Sequence, residues 1–236
     1  MYAHTGGTYM IIGETIFDIL YLLTVITIGI KMLKNSPYKS QYWLFGLLAV
    51  ILGFGDVFHL VPRVYALWNG GTAAYPTALG FGKAVTSVTM TIFYVMLYHV
   101  WEMRYSVKNC KNIKSVIYIL AAVRIILCLF PQNNWLSADA PLSWGIYRNI
   151  PFALLGMVII ILYYRKAKEY SDKEFSYMWL AILLSFGFYI PVVLFADAVP
   201  AVGALMLPKT CAYVWSVFMG YSAMKNSVHS KVDVVK

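Results

Sequence analysis

The chain has 236 residues, of which 61% are hydrophobic and 12% charged, and its mean hydropathy is +0.68. That is more apolar surface than a soluble domain of this length can bury. The net charge of +9 does not point to nucleic acid, because the basic residues gather in short connections between apolar runs, where membrane insertion places them. The runs are about 20 residues long and do not alternate, which excludes a β-barrel and predicts an all-α membrane protein, a seven-transmembrane helix bundle.

The predicted spans are 9–30, 42–65, 76–101, 115–131, 144–164, 175–196 and 201–223, in a single integral membrane domain covering residues 1–236. Residues 1–8 carry no basic residue and the first apolar run is full length, so no cleaved signal is expected. In the first span Glu14 and Asp18 are i and i+4 and share a face, which Tyr21 continues. A loop with Lys31, Lys34 and Lys39 leads to the second span. There Asp56, His59 and Arg63 stand at i, i+3 and i+7, again on one face. The turn Asn69-Gly70-Gly71 precedes the third span, in which Lys83 is followed on its face by Ser87, Tyr94 and Tyr98. His99 and Glu102 at its far end read as interface anchors.

A loop with Arg104, Lys108, Lys111 and Lys114 opens the fourth span, which holds Arg124 toward its other end. Pro131-Gln132-Asn133-Asn134 forms the next turn, and Arg148 lies just inside the fifth span. Arg165, Lys166, Lys168 and Lys173 follow, then a sixth span with Ser185, Tyr189 and a helix-distorting Pro191. The connection from Asp197 to Gly203, with Pro200, leads to the seventh span, where Lys209 has Tyr213 and Ser216 beneath it. The tail adds Lys225, Lys231 and Lys236, whereas loops 66–75, 132–143 and 197–200 contain no Lys or Arg. That asymmetry predicts an outside N-terminus, a cytoplasmic C-terminus and a multi-pass protein of the cell membrane.

Arg63, Lys83, Arg124, Arg148 and Lys209 are the basic residues inside the apolar runs. A charge in hydrocarbon costs about 2.5–3.5 kcal/mol on insertion scales, so each needs a partner, water or a ligand. Together with Glu14, Asp18 and Asp56 they fall at a common depth in the outer half, which predicts a water-accessible cavity open to the outside. Basic residues outnumber acidic ones there, and an anionic group would fill the excess. Ion pairs such as Asp56 with Lys83, or Glu14 with Lys209, are the purely structural alternative. Cys110, Cys128 and Cys211 show no paired spacing, and His59 has no second histidine in its half of the bundle, so no disulfide, metal or cofactor is expected.

The segment Gly53-Phe54-Gly55-Asp56-Val57-Phe58-His59-Leu60-Val61-Pro62-Arg63 resembles the Gly-Asp segment of the lysoplasmalogenase-like (YhhN) membrane proteins. That resemblance implies hydrolysis of the vinyl-ether bond of a lysophospholipid, with Asp56 as candidate catalytic acid; His59, one turn from Asp56 by its spacing, suits a proton relay for such catalysis. The family has eight spans, and Lys83 stands where its next conserved histidine would lie. The ligand-binding set expected for an anionic amphiphile is then Glu14, Asp18, Arg63, Lys83, Arg124, Arg148, Tyr189 and Lys209, with membrane lipids as partners. The alternatives are an anion or small-molecule transporter and a seven-helix ligand-sensing receptor. The lysine motifs of spans three and seven, Gly82-Lys83-Ala84 and Pro208-Lys209-Thr210, would fit a three-plus-one-plus-three repeat of the transporter kind. A retinal protein is disfavoured, because the third span carries Lys83 and no acid to serve as counter-ion in its outer half.

Overall fold

The computed structural model describes residues 2–196 and 198–233; Asp197 of the last connection and Lys236 of the tail lie outside the described residues. It contains α1 (Tyr2–Asn35), α2 (Gln41–Trp68), α3 (Pro76–Arg104), α4 (Lys111–Leu129), α5 (Leu142–Glu169), α6 (Met178–Phe195) and α7 (Met206–Asp233). Seven helices are long and apolar enough to cross a membrane, and no strand occurs among the described residues. Short connections make consecutive helices antiparallel neighbours, and α1 packing on α7 closes the ring. Contacts of α3 with α5 and of α2 with α7 fill its interior.

The helix ends depart from the expected spans where local chemistry intervenes. α4 stops at Leu129 because Pro131 forces Phe130 into an extended conformation, φ −65° and ψ 132°. Residues 175–177 are a turn ahead of α6, and 200–205 form a 3₁₀ turn ahead of α7. At the end that carries the Lys and Arg connections, the basic end, α3, α5 and α7 run on past the apolar segments as polar helix.

Small residues set the closest approaches. A Cβ on Gly46 would sit 2.9 Å from the Gly29 carbonyl oxygen, so α1 and α2 meet backbone to backbone. A Cβ on Gly82 would sit 2.1 Å from the Phe58 carbonyl oxygen, so α3 lies directly against α2 beside His59. Large apolar side chains such as Leu20, Leu23, Phe54, Ile119, Ile126 and Leu129 cover the outward faces, as a lipid-facing surface requires.

The apolar core runs from Met32, Phe45, Leu97, Tyr163 and Phe175 at the basic end to Tyr94, Phe152 and Phe186 in the other half. An ion pair closes it at the basic end. Arg104 donates from Nε and Nη2 to Asp172 at 2.5 and 2.6 Å, Tyr105 donates its hydroxyl at 2.9 Å, and the guanidinium lies 4.1 Å from the Phe175 ring centre. The Glu174 and Phe175 amides also donate to Asp172, shaping the turn before α6. Burial alone would raise the Asp172 carboxyl, but the hydrogen bonds and charge of Arg104 outweigh it and hold it below its ordinary value. Beside this, Glu102 accepts from Tyr98 at 2.8 Å and lies 2.8 Å from His99 Nδ1, while His99 Nε2 lies 2.8 Å from the Tyr118 hydroxyl. Those contacts tie α3 to α4 at the basic end.

Candidate functional site

The charged side chains of the spans collect in the other half of the ring. α1 turns Glu14, Asp18 and Tyr21 toward α2, and α2 answers with Asp56 and Arg63. Arg63 Nε donates to Glu14 in a short ion pair at the rim. The Tyr21 hydroxyl donates to Asp56 Oδ2 at 2.5 Å. Asp18 is 5% exposed, and its Oδ2 is buried without a hydrogen-bond partner. The Thr86 hydroxyl donates to the Gly55 carbonyl at 3.1 Å, fastening α3 to α2 next to Asp56.

From α7, the Lys209 ammonium lies 4.8 Å from the Tyr189 ring centre and 5.4 Å from that of Tyr213. It is within electrostatic reach of both Asp56 and Arg124. Lys83 is exposed on α3. With Arg63 and Lys209, it is a cation within reach of His59, whose Nδ1 is buried without a hydrogen-bond partner.

Arg124 is the deepest charge. Only 2% of its surface is exposed, and its guanidinium carbon lies 3.2 Å from the Phe152 ring centre. Its Nε and Nη1 donors are buried and have no hydrogen-bond acceptor. The Tyr94, Ser185 and Tyr213 hydroxyls lie within hydrogen-bonding reach of one another in the buried interior. The Tyr189 hydroxyl completes this wall by donating to Asn149 Oδ1 at 3.0 Å. Polar atoms of α3, α4, α6 and α7 thus gather here, and among them Arg124 Nε and Nη1 lack an acceptor.

Arg148 has protein partners. Its Nη1 donates to Asn133 Oδ1 at 3.0 Å and its guanidinium lies 4.2 Å from the Trp135 ring centre. Asn133 is fully buried and donates in turn to the Leu127 and Phe130 carbonyls at the end of α4. The 131–136 loop is therefore pinned over the Arg124 side of the ring.

The structure brings Asp56, Lys209, Tyr189 and Arg124 into one electrostatically connected group with Asp18 beside it, puts Glu14 with Arg63 at the rim, and leaves Lys83 on an exposed face. Glu14 pairs with Arg63 rather than with Lys209. Sequence reasoning missed Phe152 under Arg124 and the Arg104–Asp172 pair. Phe152 stands at i+4 from Arg148, which places it on a charge-bearing face; Asp172 is hidden in a basic loop. Among the described residues, no group of three or more His, Cys, Asp or Glu is placed to hold a metal ion.

The chain is a multi-pass membrane protein. No protein-family model, curated protein or solved structure matches it, so the lysoplasmalogenase likeness rests on residues 53–63 alone.

Proposed function

We propose that this protein binds the anionic headgroup of an amphiphile between Arg124 and Lys209, with the N-terminus outside, the C-terminus in the cytoplasm and the site in the outer half of the bundle. The observation that carries this reading is Arg124, a guanidinium 2% exposed with Nε and Nη1 unpaired. Leaving a buried donor unmade costs about 1–3 kcal/mol, more on a charged group. A phosphate, sulfonate or carboxylate would satisfy both donors at once in the forked geometry a guanidinium prefers. Lys209 adds a second positive charge within reach, and the Tyr94 and Ser185 hydroxyls, clustered with Tyr213, add neutral donors. The apolar outer faces of the helices suit the tail of a lipid.

Hydrolysis is a second reading, favoured by the Tyr21 hydroxyl that holds Asp56 a turn from His59. In that reaction a carboxylic acid protonates the vinyl-ether carbon and water adds to the resulting cation, returning the proton. The hemiacetal then breaks into an aldehyde and the glycerophospho-alcohol. Aldehyde release from a lysoplasmalogen by the wild type, and its loss in Asp56→Asn, is the test of this step.

Native mass spectrometry with lipid extraction tests the binding reading. A co-purifying phospholipid or lysolipid that is lost in Arg124→Met and Lys209→Met supports it. Retention of the same ligand by both variants overturns it, and a small soluble anion in its place redirects the reading to transport or sensing.

A further inference from the structure

Asp18 is the acid that the pairing within the ring leaves over. It lies on α1 between Glu14 and Tyr21, is 5% exposed, and its Oδ2 is buried with no hydrogen-bond partner. α1 packs against α2 and α7, and the charged or titratable groups facing this corner can be named from each. From α1 itself they are Glu14 and Tyr21, and from α2 they are Asp56 and Arg63. From α7 they are Lys209, which faces Asp56, and Tyr213, which faces Tyr21.

Arg63 is engaged by Glu14, and the Tyr21 hydroxyl is given to Asp56. Asp18 therefore stands among the carboxyl groups of Glu14 and Asp56, whose counter-charges are Arg63 and Lys209, and its own Oδ2 receives no donor. Carboxyl groups near one another in low dielectric raise each other's proton affinity, and an unpaired carboxylate at this depth costs several kcal/mol. Neutralisation by a cation resolves this. With no metal-holding group of His, Cys, Asp or Glu among the described residues, the cation that fits is a proton.

We propose that Asp18 is a proton-binding site, and that its proton is taken up together with the anion held by Arg124 and Lys209. The coupling follows from the shared lysine. When an anion occupies Lys209, Asp56 loses its counter-charge, and the Asp18–Asp56 pair then holds one proton drawn from solvent. Protonation of the pair, in the other direction, frees Lys209 for the anion. The two effects are equal by thermodynamic necessity. The coupling rests on the anion-binding reading; the protonation of Asp18 does not.

Two measurements separate these parts. Infrared spectroscopy of the purified, ligand-free wild type is expected to show a buried carboxylic-acid C=O band that grows in as the pH is lowered from neutral and disappears in Asp18→Asn. A band that is absent, or unchanged in Asp18→Asn, overturns the site. Calorimetric titration with octyl sulfonate, whose headgroup does not titrate, at a pH where the free protein lacks that band, in two buffers of different ionisation enthalpy counts the protons taken up on binding. The expected result is close to one proton per sulfonate, with affinity falling about tenfold per pH unit where the pair titrates, and no uptake in Asp18→Asn. Sulfonate binding without proton uptake in the wild type overturns the coupling. Absence of sulfonate binding beside a band that does depend on Asp18 overturns the anion reading and the coupling with it, and leaves the proton site standing.

Discussion

Replacing Arg124 by Met keeps an unbranched side chain over Phe152 while deleting the charge and every N–H donor. Two opposing contributions decide the outcome. The contact with Phe152 at 3.2 Å is a desolvated cation–π pair worth about 2 kcal/mol. Against it stand two buried donors without acceptors, at about 1–3 kcal/mol each, and the desolvation of the charge itself, several kcal/mol in a dry interior. The second contribution wins, so the empty Arg124→Met protein is expected to be about 1–4 kcal/mol more stable than the empty wild type. For a chain of this size each kcal/mol moves the midpoint by about 2–4 °C. Thermal unfolding in one detergent, at one scan rate, with and without octyl sulfonate, reads this directly. The wild type gains about 2.7 kcal/mol when the probe is at a hundred times its Kd, and the variant gains nothing. A variant that melts below the wild type and still responds to the probe would show that Arg124 is an element of the bundle rather than a site.

Asp172→Ala strips the partner from a nearly buried Arg104 and is expected to lower stability by about 3–5 kcal/mol, read as an earlier unfolding midpoint in the same assay. Because the folded Asp172 carboxyl lies below its ordinary 3.8, its contribution is fully present above that pH and is lost as pH falls through the lowered value. Acid unfolding of the wild type should therefore steepen below about pH 4 and flatten in Asp172→Asn. Tyr105 has the opposite sign: burial, then the Asp172 charge, raise it, so its contribution is lost only in strong alkali. Lys209→Met is expected to weaken octyl sulfonate binding at least tenfold and Lys83→Met much less, since Lys83 is exposed; calorimetry measures both, and equal losses would refute the placement. Gly82→Leu pushes a side chain into the Phe58 carbonyl, parts α3 from α2 and should abolish sulfonate binding while far-ultraviolet circular dichroism still reports a helical protein.

The helices were legible because a bilayer leaves the backbone one way to satisfy itself in a run of apolar residues. Their ends were less so. Phe130 leaves α4 on account of the proline after it, and the turn at 175–177 answers to Asp172, whose role depends on an arginine in a different helix. The shared depth of Asp56, Arg124 and Lys209 was readable, since charges stand out against hydrocarbon. Their partners were not. Helical spacing states which residues share a face and says nothing of which neighbour that face meets, so Glu14 found Arg63 and Asp56 found Tyr21. Phe152 shared a face with Arg148 in the sequence, but its position under Arg124 is tertiary.

The prolines inside α2, α5 and α6, Pro62, Pro151 and Pro191, all lie in the half away from the basic end. Each removes one backbone hydrogen bond and softens its helix there. The Arg104–Asp172 clasp occupies the opposite half. The prolines thus soften the helices on the side of the charged groups, and the ion pair fastens the other. Parting the helix tips above Asp56 and Lys209 leaves the Arg104–Asp172 clasp in place, whereas an alternating-access cycle would have to unfasten it and unpack Phe45, Tyr163 and Phe175 on every turn. Such a build favours a ligand that enters and leaves by the same side.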